Sequence, residues 1–215
     1  MCGRFTLRTP LNVLIKQFML DAPPQLKLRF NIAPTQNVAA VRLVDDKRQL
    51  ALLRWGLIPS WAKDAKIAYS TINASAETVA TKPAFRAAFK KRRCLVLADG
   101  YYEWEKAGKA KLPWLYEVDD GKPFAFAGLW ESWHPTGADA VETCTIITTD
   151  ANDLAAEVHN RMPVILDAAD YDGWLTGEEI PLVPFDSERM RAEPVSTFVN
   201  NARHEGEECL APRTA

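Results

Sequence analysis

The 215-residue sequence predicts an α+β fold, a single domain with a mixed, mostly antiparallel, barrel-like sheet flanked by short helices. Many short runs rich in branched and aromatic residues are separated by Gly, Pro and Asp, which is typical of strands. Helical patterns are few and do not alternate regularly with the strands, so a doubly wound parallel sheet is not expected. Because neither a GxGxxG motif nor a Walker loop occurs, we expect a protein that works without a cofactor.

The chain opens with a predicted strand and a predicted amphipathic helix. Residues 2–7 predict the strand, and four apolar residues at i, i+3, i+4 and i+7 predict the helix: Leu11, Leu14, Ile15 and Phe18. Thr9 is the expected N-cap, followed by Pro10 in the first turn. Pro23 and Pro24 are expected to end the helix, because proline has no backbone N–H to donate.

The rest of the chain predicts short strands with helices between them. The expected strands are residues 37–44, 50–59, 93–106, 112–118, 122–133, 142–151 and 161–166, with a turn at Asp99-Gly100. The expected helices are residues 82–91, 151–159, 167–175 and 187–192. We assign residues 1–200 to one domain and residues 201–215, which are rich in Glu and Arg, to a solvated tail.

The charges are divided unevenly along the chain, although the net charge is only −2. Residues 1–93 hold 17 Lys and Arg against 5 Asp and Glu, whereas residues 94–215 hold 9 against 23. One interpretation is a basic face on a weakly acidic molecule, which would suit a polyanionic partner. The other is that the two halves attract each other within one fold.

The composition is that of an ordinary globular protein, with 47% hydrophobic and 25% charged residues. No apolar signal segment and no run approaching about 18 uncharged apolar residues is present, so we expect a cytoplasmic monomer with no membrane contact. The cysteines have no CxxC spacing and the histidines lie far apart in sequence. We therefore expect no metal site and four free thiols, at Cys2, Cys94, Cys144 and Cys209.

The first six residues, MCGRFT, place a cysteine directly after the initiator methionine. If Met1 is removed, Cys2 carries both a thiol and an α-amine whose ordinary pKa of about 7.7 to 8.0 leaves part of it neutral near pH 7.5. Such an amine condenses with an aldehyde to an imine, and the nearby thiol then closes a five-membered thiazolidine ring. Alternatively, the thiolate attacks an amide or ester while the α-amine serves as its base. A third interpretation is that Cys2 is only a packing residue.

Six segments occur together in the order seen in one family: residues 1–6, 29–36, 53–62, 73–78, 82–106 and 159–166. In this respect the chain resembles the SRAP family, the SOS-response-associated peptidases that shield abasic sites in DNA. The resemblance runs from Cys2 to about Val199 and omits only the tail. It also implies a single α+β domain around a barrel-like sheet, in agreement with the strand pattern.

The resemblance implies that Cys2 captures the ring-opened deoxyribose aldehyde of an abasic site and stays attached through a thiazolidine. The partners it implies are single-stranded DNA containing abasic sites and junctions of single- and double-stranded DNA. The protein would be nucleoid-associated when bound to damaged DNA. Lyase and autopeptidase activities are further expectations from the family.

Three further catalytic residues are implied by matching the family's motifs. Asn73 is expected to hydrogen-bond near the Cys2 amine, Glu103 to donate and accept protons, and His159 to be a second proton shuttle. Each has a simpler interpretation from the sequence alone. Asn73 suits a turn, Glu103 suits a solvated strand, and His159 suits the C-terminal cap of the helix before it.

DNA binding calls for cations that contact phosphates and flat side chains that contact unstacked bases. Arg4 and Arg161 flank the proposed nucleophile and proton shuttle in sequence and are the phosphate candidates. The stacking candidates are Trp61, Trp104 and Pro34, ahead of Trp55, which lies in an apolar run.

At one position the sequence departs from the family. The family commonly has arginine two residues after the catalytic asparagine, where this chain has Ser75. A serine hydroxyl still hydrogen-bonds a phosphate oxygen but supplies no charge, so we expect DNA binding to depend less on salt. Arg86 is the candidate substitute for the missing charge.

Three functions remain open on these grounds. The leading one is covalent capture of abasic sites through Cys2. The alternative is an N-terminal cysteine hydrolase or peptidase, and the third is a DNA-binding module without chemistry, which would bind reversibly and survive loss of Cys2.

Overall fold

The computed structural model describes residues 2–21 and 23–213, most of which lie in or between short strands. The strands are β1 Phe5–Leu7, β2 Arg29–Ile32, β3 Asn37–Val44, β4 Lys47–Trp55, β5 Asn73–Ser75, β6 Arg93–Ala98, β7 Gly100–Ala107, β8 Ala110–Val118, β9 Phe124–Trp133, β10 Val141–Asp150, β11 Arg161–Pro163, β12 Ile165–Leu166 and β13 Met190–Pro194. The α-helices are α1 Leu11–Phe18, α2 Arg86–Lys91, α3 Asp153–Ala156 and α4 Tyr171–Thr176. None of the helices in the described ranges is long and apolar enough to cross a membrane.

These strands form two sheets. The smaller one is antiparallel with the order β13-β8-β7-β1-β2, and the larger one has the order β11-β10-β4-β3-β6-β9-β12, with β5 beside β10. Because β9 also pairs with β10, the strands β10, β4, β3, β6 and β9 close into a ring. Only the pairings of β10 with β4 and with β5 are parallel among those described. The predicted α+β class with a mixed, mostly antiparallel sheet is confirmed.

One hydrophobic core joins the two sheets. The ring of Phe5, on β1 of the smaller sheet, lies 5.1 Å from that of Trp55 and 5.7 Å from that of Phe126, both on the larger sheet. All three side chains are fully buried. Such edge-to-face contacts stabilise a pair beyond its buried area, so the two sheets form one unit.

The chain passes from the larger sheet to the smaller one at Asp99, between β6 and β7. The sequence predicted a turn here, and the structure shows a crossing between sheets. Gly100 follows directly, and a Cβ at this position would lie 3.0 Å from both Leu115 Cδ1 and Thr6 Oγ1. A larger residue would therefore push the neighbouring strands apart at the crossing.

The first helix forms where the sequence predicts it, but the predicted signals for its two ends do not act as expected. Helix α1 spans the predicted residues, but Thr9 does not cap it, because the Thr9 hydroxyl and backbone N–H both donate to the Asp99 carboxylate. The helix ends at Met19, which has a left-handed φ of 51°, before Pro23 is reached. Tertiary contacts here replace the local capping signal.

The predicted helix over residues 187–192 is wrong. A short 3-10 turn covers Ser187–Arg189, and the chain then forms β13, which pairs with β8. Arg191 lies opposite Glu117 in this pairing, and its guanidinium contacts that carboxylate at 2.6 Å. An ion pair between neighbouring strands thus stabilises an edge strand that the sequence pattern did not indicate.

Residues 201–213, which we assign to a solvated tail, are mostly exposed but make specific contacts with the rest of the fold. The Glu205 carboxylate accepts hydrogen bonds from the backbone N–H groups of Phe30 and Asn31 on the edge strand β2. Cys209 is fully buried, and the backbone N–H of Ser196 donates to Ala211. The Glu205 carboxylate therefore satisfies backbone donors of an edge strand. The fold holds this segment in place, although its composition is typical of a solvated tail.

Part of the uneven charge distribution is neutralised by ion pairs within the fold. Five arginines of the basic half pair with carboxylates of the acidic half: Arg8 with Asp99 and Glu117, Arg29 with Glu205, Arg42 with Glu142, Arg48 with Asp172, and Arg92 with Glu131. The interpretation that the two halves attract each other therefore accounts for these arginines. The four cysteines are buried free thiols.

A buried carboxylate fixes the crossing between the sheets. The Asp99 side chain, only 2% exposed, accepts hydrogen bonds from Thr6 Oγ1 at 2.6 Å, Thr9 N at 2.7 Å and Arg8 Nε at 3.1 Å. Arg8 also contacts Glu117 on β8. One carboxylate thus ties the end of β1 to the start of β7.

Replacing Asp99 by alanine is expected to lower the free energy of unfolding by about 3–5 kcal/mol, because Arg8 and the two threonines lose a buried acceptor. Urea denaturation measures the change. Asp139→Ala, at an exposed position, is the control and should stay within about 0.5 kcal/mol of the parent. Equal stability of the two variants would contradict this role for Asp99.

Candidate active site

The residues before β1 continue alongside β7. Phe5 pairs with Tyr101, and the backbone N–H of Tyr102 donates to the Arg4 carbonyl at 3.0 Å. Continuing this antiparallel register brings Gly3 and Cys2 beside Glu103, one strand away. The start of the chain is therefore placed against β7 by backbone pairing.

A cavity of about 340 Å³ opens at this point and is called the Glu103 cavity below. It is lined by Gly3, Arg4, Glu103, Trp104, Lys106, Lys111, His159 and Asn200. These residues come from the start of the chain, the β7–β8 hairpin, the loop after α3 and the C-terminal region. Within residues 2–21 and 23–213, no group of three or more His, Cys, Asp or Glu side chains is placed to hold a metal ion.

Cys2 is fully buried next to this cavity, and its backbone is held by Asn73. Asn73 Nδ2 donates to the Cys2 carbonyl oxygen at 2.8 Å. Asn73 lies on β5, which pairs with β10, so the turn interpretation of this residue is wrong. Its Oδ1 atom is buried and accepts no hydrogen bond from the residues described. Met1, whose removal the sequence argument requires, lies outside the described residues.

The Cys2 thiol is kept protonated by its surroundings. Burial raises its pKa well above the usual range, and the Glu103 carboxylate raises it further, while the backbone N–H of Arg4 opposes the shift. A neutral thiol is a weaker nucleophile than a thiolate but brings its own proton to a reaction.

Glu103 is a buried carboxyl, which overturns the solvated interpretation. It is only 5% exposed, and burial raises its pKa above the usual value of 4.5. A carboxyl with a raised pKa holds its proton to a higher pH than an exposed glutamate does, which suits a general acid.

His159 is half-buried at the cavity and has a defined orientation. Its Nδ1 accepts the backbone N–H of Arg161 at 3.0 Å, so a neutral ring carries its proton on Nε2. Burial lowers the pKa of His159, and the cations Lys106 and Arg161 lower it further. The ring is therefore neutral at neutral pH and offers Nε2–H as a hydrogen-bond donor, because Nδ1 is occupied by the backbone N–H of Arg161.

Arg4 and Trp104 form a second part of the cavity wall. The Arg4 guanidinium lies 5.5 Å from the centre of the Trp104 ring and donates to Asn31 Oδ1 at 2.6 Å. Trp104 Nε1 donates to Asn200 Oδ1 at 2.6 Å. Both side chains are thus held in place at the cavity that Glu103 and His159 also line.

Arg161 is enclosed by acceptors. Its guanidinium contacts Glu77 at 2.6 Å and Asp150 at 2.8 Å, and it reaches the Ser75 hydroxyl at 3.4 Å. Ser75 also hydrogen-bonds Glu77. The Arg161 contact, followed by that of Ser75, lowers the pKa of Glu77 to about 2, so this group stays ionised. We call these four residues the Arg161 cluster.

Comparison with known proteins identifies the family. A family model described as SOS response associated peptidase (SRAP) matches residues 1–202. The chain belongs to this family.

Named relatives and a solved structure agree with the SRAP assignment. The abasic site processing protein YoaM of Bacillus subtilis (strain 168) is 40% identical over 221 residues, which cover 98% of this chain and 97% of YoaM. The abasic site processing protein HMCES of Gallus gallus is 34% identical over 195 residues, 77% of this chain and 58% of HMCES. A crystal structure of a protein from Bacteroides thetaiotaomicron has a TM-score of 0.80 at 27% identity and covers 99% of this chain and 100% of that one.

The structure brings together only some of the residues singled out from the SRAP motifs. The group at or beside the cavity comprises Cys2, Arg4, Asn73, Glu103, Trp104 and His159. Pro34, Trp61 and Arg86 do not line it, although Trp61 is 59% exposed. Trp55 is a core residue whose Nε1 donates to the Ile72 carbonyl.

Three cavity residues were not singled out from the sequence, although the first of them ends the segment 82–106: Lys106, Lys111 and Asn200. The two lysines flank the turn at Gly108 almost symmetrically, so recognising a hairpin there would have paired them. For Asn200 the sequence carries no such signal, because it reaches the cavity through the packing of the C-terminal region.

Proposed function

We propose that this protein captures abasic sites in DNA covalently, through Cys2 exposed as the first residue by removal of Met1. The observation that carries the proposal is the position of Cys2, which lies next to a cavity that also holds a buried carboxyl and a neutral imidazole. The relatives YoaM and HMCES, both described as abasic site processing proteins, support the same substrate.

The proposed reaction joins an aminothiol to the aldehyde of the ring-opened sugar. The neutral α-amine of Cys2 attacks the aldehyde carbon, and the adduct loses one water to give an imine. The Cys2 sulfur then adds to the imine carbon while the thiol proton passes to the nitrogen, which closes a thiazolidine ring. One C–N and one C–S bond form, the carbonyl oxygen leaves as water, and no oxidant or reductant is needed.

The neighbouring groups supply what each step requires. Protonated Glu103 donates the proton with which water leaves, and the raised pKa of its carboxyl keeps that proton available. As the amine adds, one of its protons passes to the aldehyde oxygen, and the Glu103 carboxylate left after water departs takes up the other. Neutral His159 offers its Nε2–H to that oxygen as a hydrogen-bond donor, and the Asn73 amide fixes the Cys2 backbone. Because the Cys2 thiol is protonated, it carries the proton that the nitrogen takes up.

The depth of Cys2 favours single-stranded DNA or a junction of single- and double-stranded DNA as the substrate. The thiol is fully buried, so the abasic nucleotide has to enter the cavity away from its neighbours. Extrusion costs less where the strand is already open. Trp104, at the cavity wall, offers a flat side chain to a base next to the abasic site.

Cys2 is expected to be required for a stable crosslink. Wild-type protein incubated with a single-stranded abasic oligonucleotide should give a shifted band on a denaturing gel. Cys2→Ala keeps an α-amine but cannot close the ring, so its band should appear only after borohydride reduction traps the imine. Cys209→Ala, at another buried cysteine outside the cavity, is the control and should crosslink normally.

The gel also separates the other functions. A wild-type band that persists in Cys2→Ala without reductant would contradict the proposal. Reversible binding with no crosslink at all would indicate a DNA-binding module. Turnover of amide substrates that abasic DNA does not inhibit would indicate an N-terminal cysteine hydrolase.

Glu103→Gln is expected to slow crosslinking by about 10²- to 10⁴-fold at saturating DNA, because the amide cannot donate the proton. Single-turnover kinetics across pH measure the effect. In the wild type, the rate should fall as pH rises through the raised pKa of Glu103, and the variant should lack this fall.

Glu105→Gln is the matched control, since Glu105 lies two residues further along β7 and accepts a hydrogen bond from Trp114 Nε1. It should keep the wild-type rate and pH profile. A Glu103→Gln variant as fast as this control would show that Glu103 is not the proton donor.

A further inference from the structure

We infer that Lys106 and Lys111, at the end of the β7–β8 hairpin, bind backbone phosphates of the DNA strand next to the captured nucleotide. This inference rests on the proposed function and adds a phosphate site that the sequence motifs did not indicate. Both lysines line the Glu103 cavity, on the side where the hairpin extends into solvent.

The hairpin register places the two lysines directly opposite each other. Lys106 lies directly opposite Lys111 in the β7–β8 pairing, and both residues are exposed. Directly paired side chains lie on the same face of a sheet, with Cβ atoms about 4.5–5.5 Å apart. Among the described residues, no carboxylate forms an ion pair with either lysine.

Two like charges at directly opposed positions destabilise a hairpin. An anion between or beside them relieves this repulsion, and a phosphate oxygen is such an anion. Lys106 lines the same cavity as His159, and its charge contributes to the lowered pKa of that imidazole.

Lys106 shares its face of β7 with an aromatic side chain, the kind of residue that stacks on bases. Alternation along the strand puts Trp104 and Lys106 on one face, about 6.8 Å apart, with Arg4 over the Trp104 ring. Asn200 connects this face to β8, because its Nδ2 donates to the Lys111 carbonyl at 3.0 Å while its Oδ1 holds Trp104. A strand that leaves the cavity along β7 would meet an aromatic ring and then two cations.

The other candidate for phosphate binding is less favourable. In the Arg161 cluster one guanidinium faces two carboxylates, Glu77 and Asp150, so the cluster has a net negative charge. A phosphate approaching Arg161 has to compete with both carboxylates. The charge balance therefore favours the hairpin lysines over Arg161 and Ser75 as the anion site.

The double variant Lys106→Gln/Lys111→Gln tests this site. Its affinity for a single-stranded oligonucleotide with a tetrahydrofuran abasic analogue, which has no aldehyde, is measured between about 50 and 200 mM salt. The plot of log affinity against log salt should become shallower by about 0.7 for each lost phosphate contact, or about 1.4 in all. Thermal unfolding confirms that the variant is folded.

Lys16→Gln/Lys47→Gln is the matched control, because both lysines are exposed and lie outside the cavity. It should keep the wild-type slope. An unchanged slope in the Lys106/Lys111 variant, an equal loss in the control, or no binding by the wild type would overturn the inference. A changed slope without any Cys2-dependent crosslink would instead uphold the phosphate site and reject the proposed function.

Discussion

The architecture of the candidate site depends on the antiparallel pairing of β1 with β7. This pairing carries the first residues of the chain along a strand whose side chains include Glu103. Asp99 holds the pairing at its other end, because the buried carboxylate accepts hydrogen bonds from Thr6, Arg8 and Thr9. A terminal segment is ordinarily the least ordered part of a chain, and here it is fixed by strand pairing and a buried ion pair.

Burial shifts the pKa values of three groups in the proposed reaction. The same low-dielectric surroundings raise the pKa values of the Cys2 thiol and the Glu103 carboxyl and lower that of the His159 imidazole. The thiol and the carboxyl therefore keep their protons to a higher pH than exposed groups of the same kind, and the imidazole stays neutral to a lower pH, all beside a single cavity. An aminothiol condensation uses proton donors of this kind, since it releases water and moves a proton from sulfur to nitrogen.

Much of the fold follows from local patterns in the sequence, but the edge strands of the smaller sheet do not. Helix α1 and the central strands were predictable because their apolar spacing is regular. The edge strands β2 and β13 were missed because distant carboxylates hold them, Glu205 at β2 and Glu117 at β13. Residues 201–213 likewise have the composition of a solvated segment but cover a sheet edge.

The candidate site shows the same division. Cys2, Glu103 and His159 could be singled out because they lie in recognisable motifs, and the structure places them together. Sequence reasoning could not reveal that Arg161 is paired with carboxylates from two other segments. Nor could it place Asn200 at the cavity, since that contact depends on how the C-terminal region packs.

The most direct test of the central claim is intact mass spectrometry of the protein before and after reaction with an abasic oligonucleotide. The account predicts a protein that lacks Met1 and an adduct whose mass is the sum of protein and DNA minus one water, with the attachment mapped to Cys2. An adduct that retains Met1, or one formed by protein with an acetylated α-amine, would contradict it.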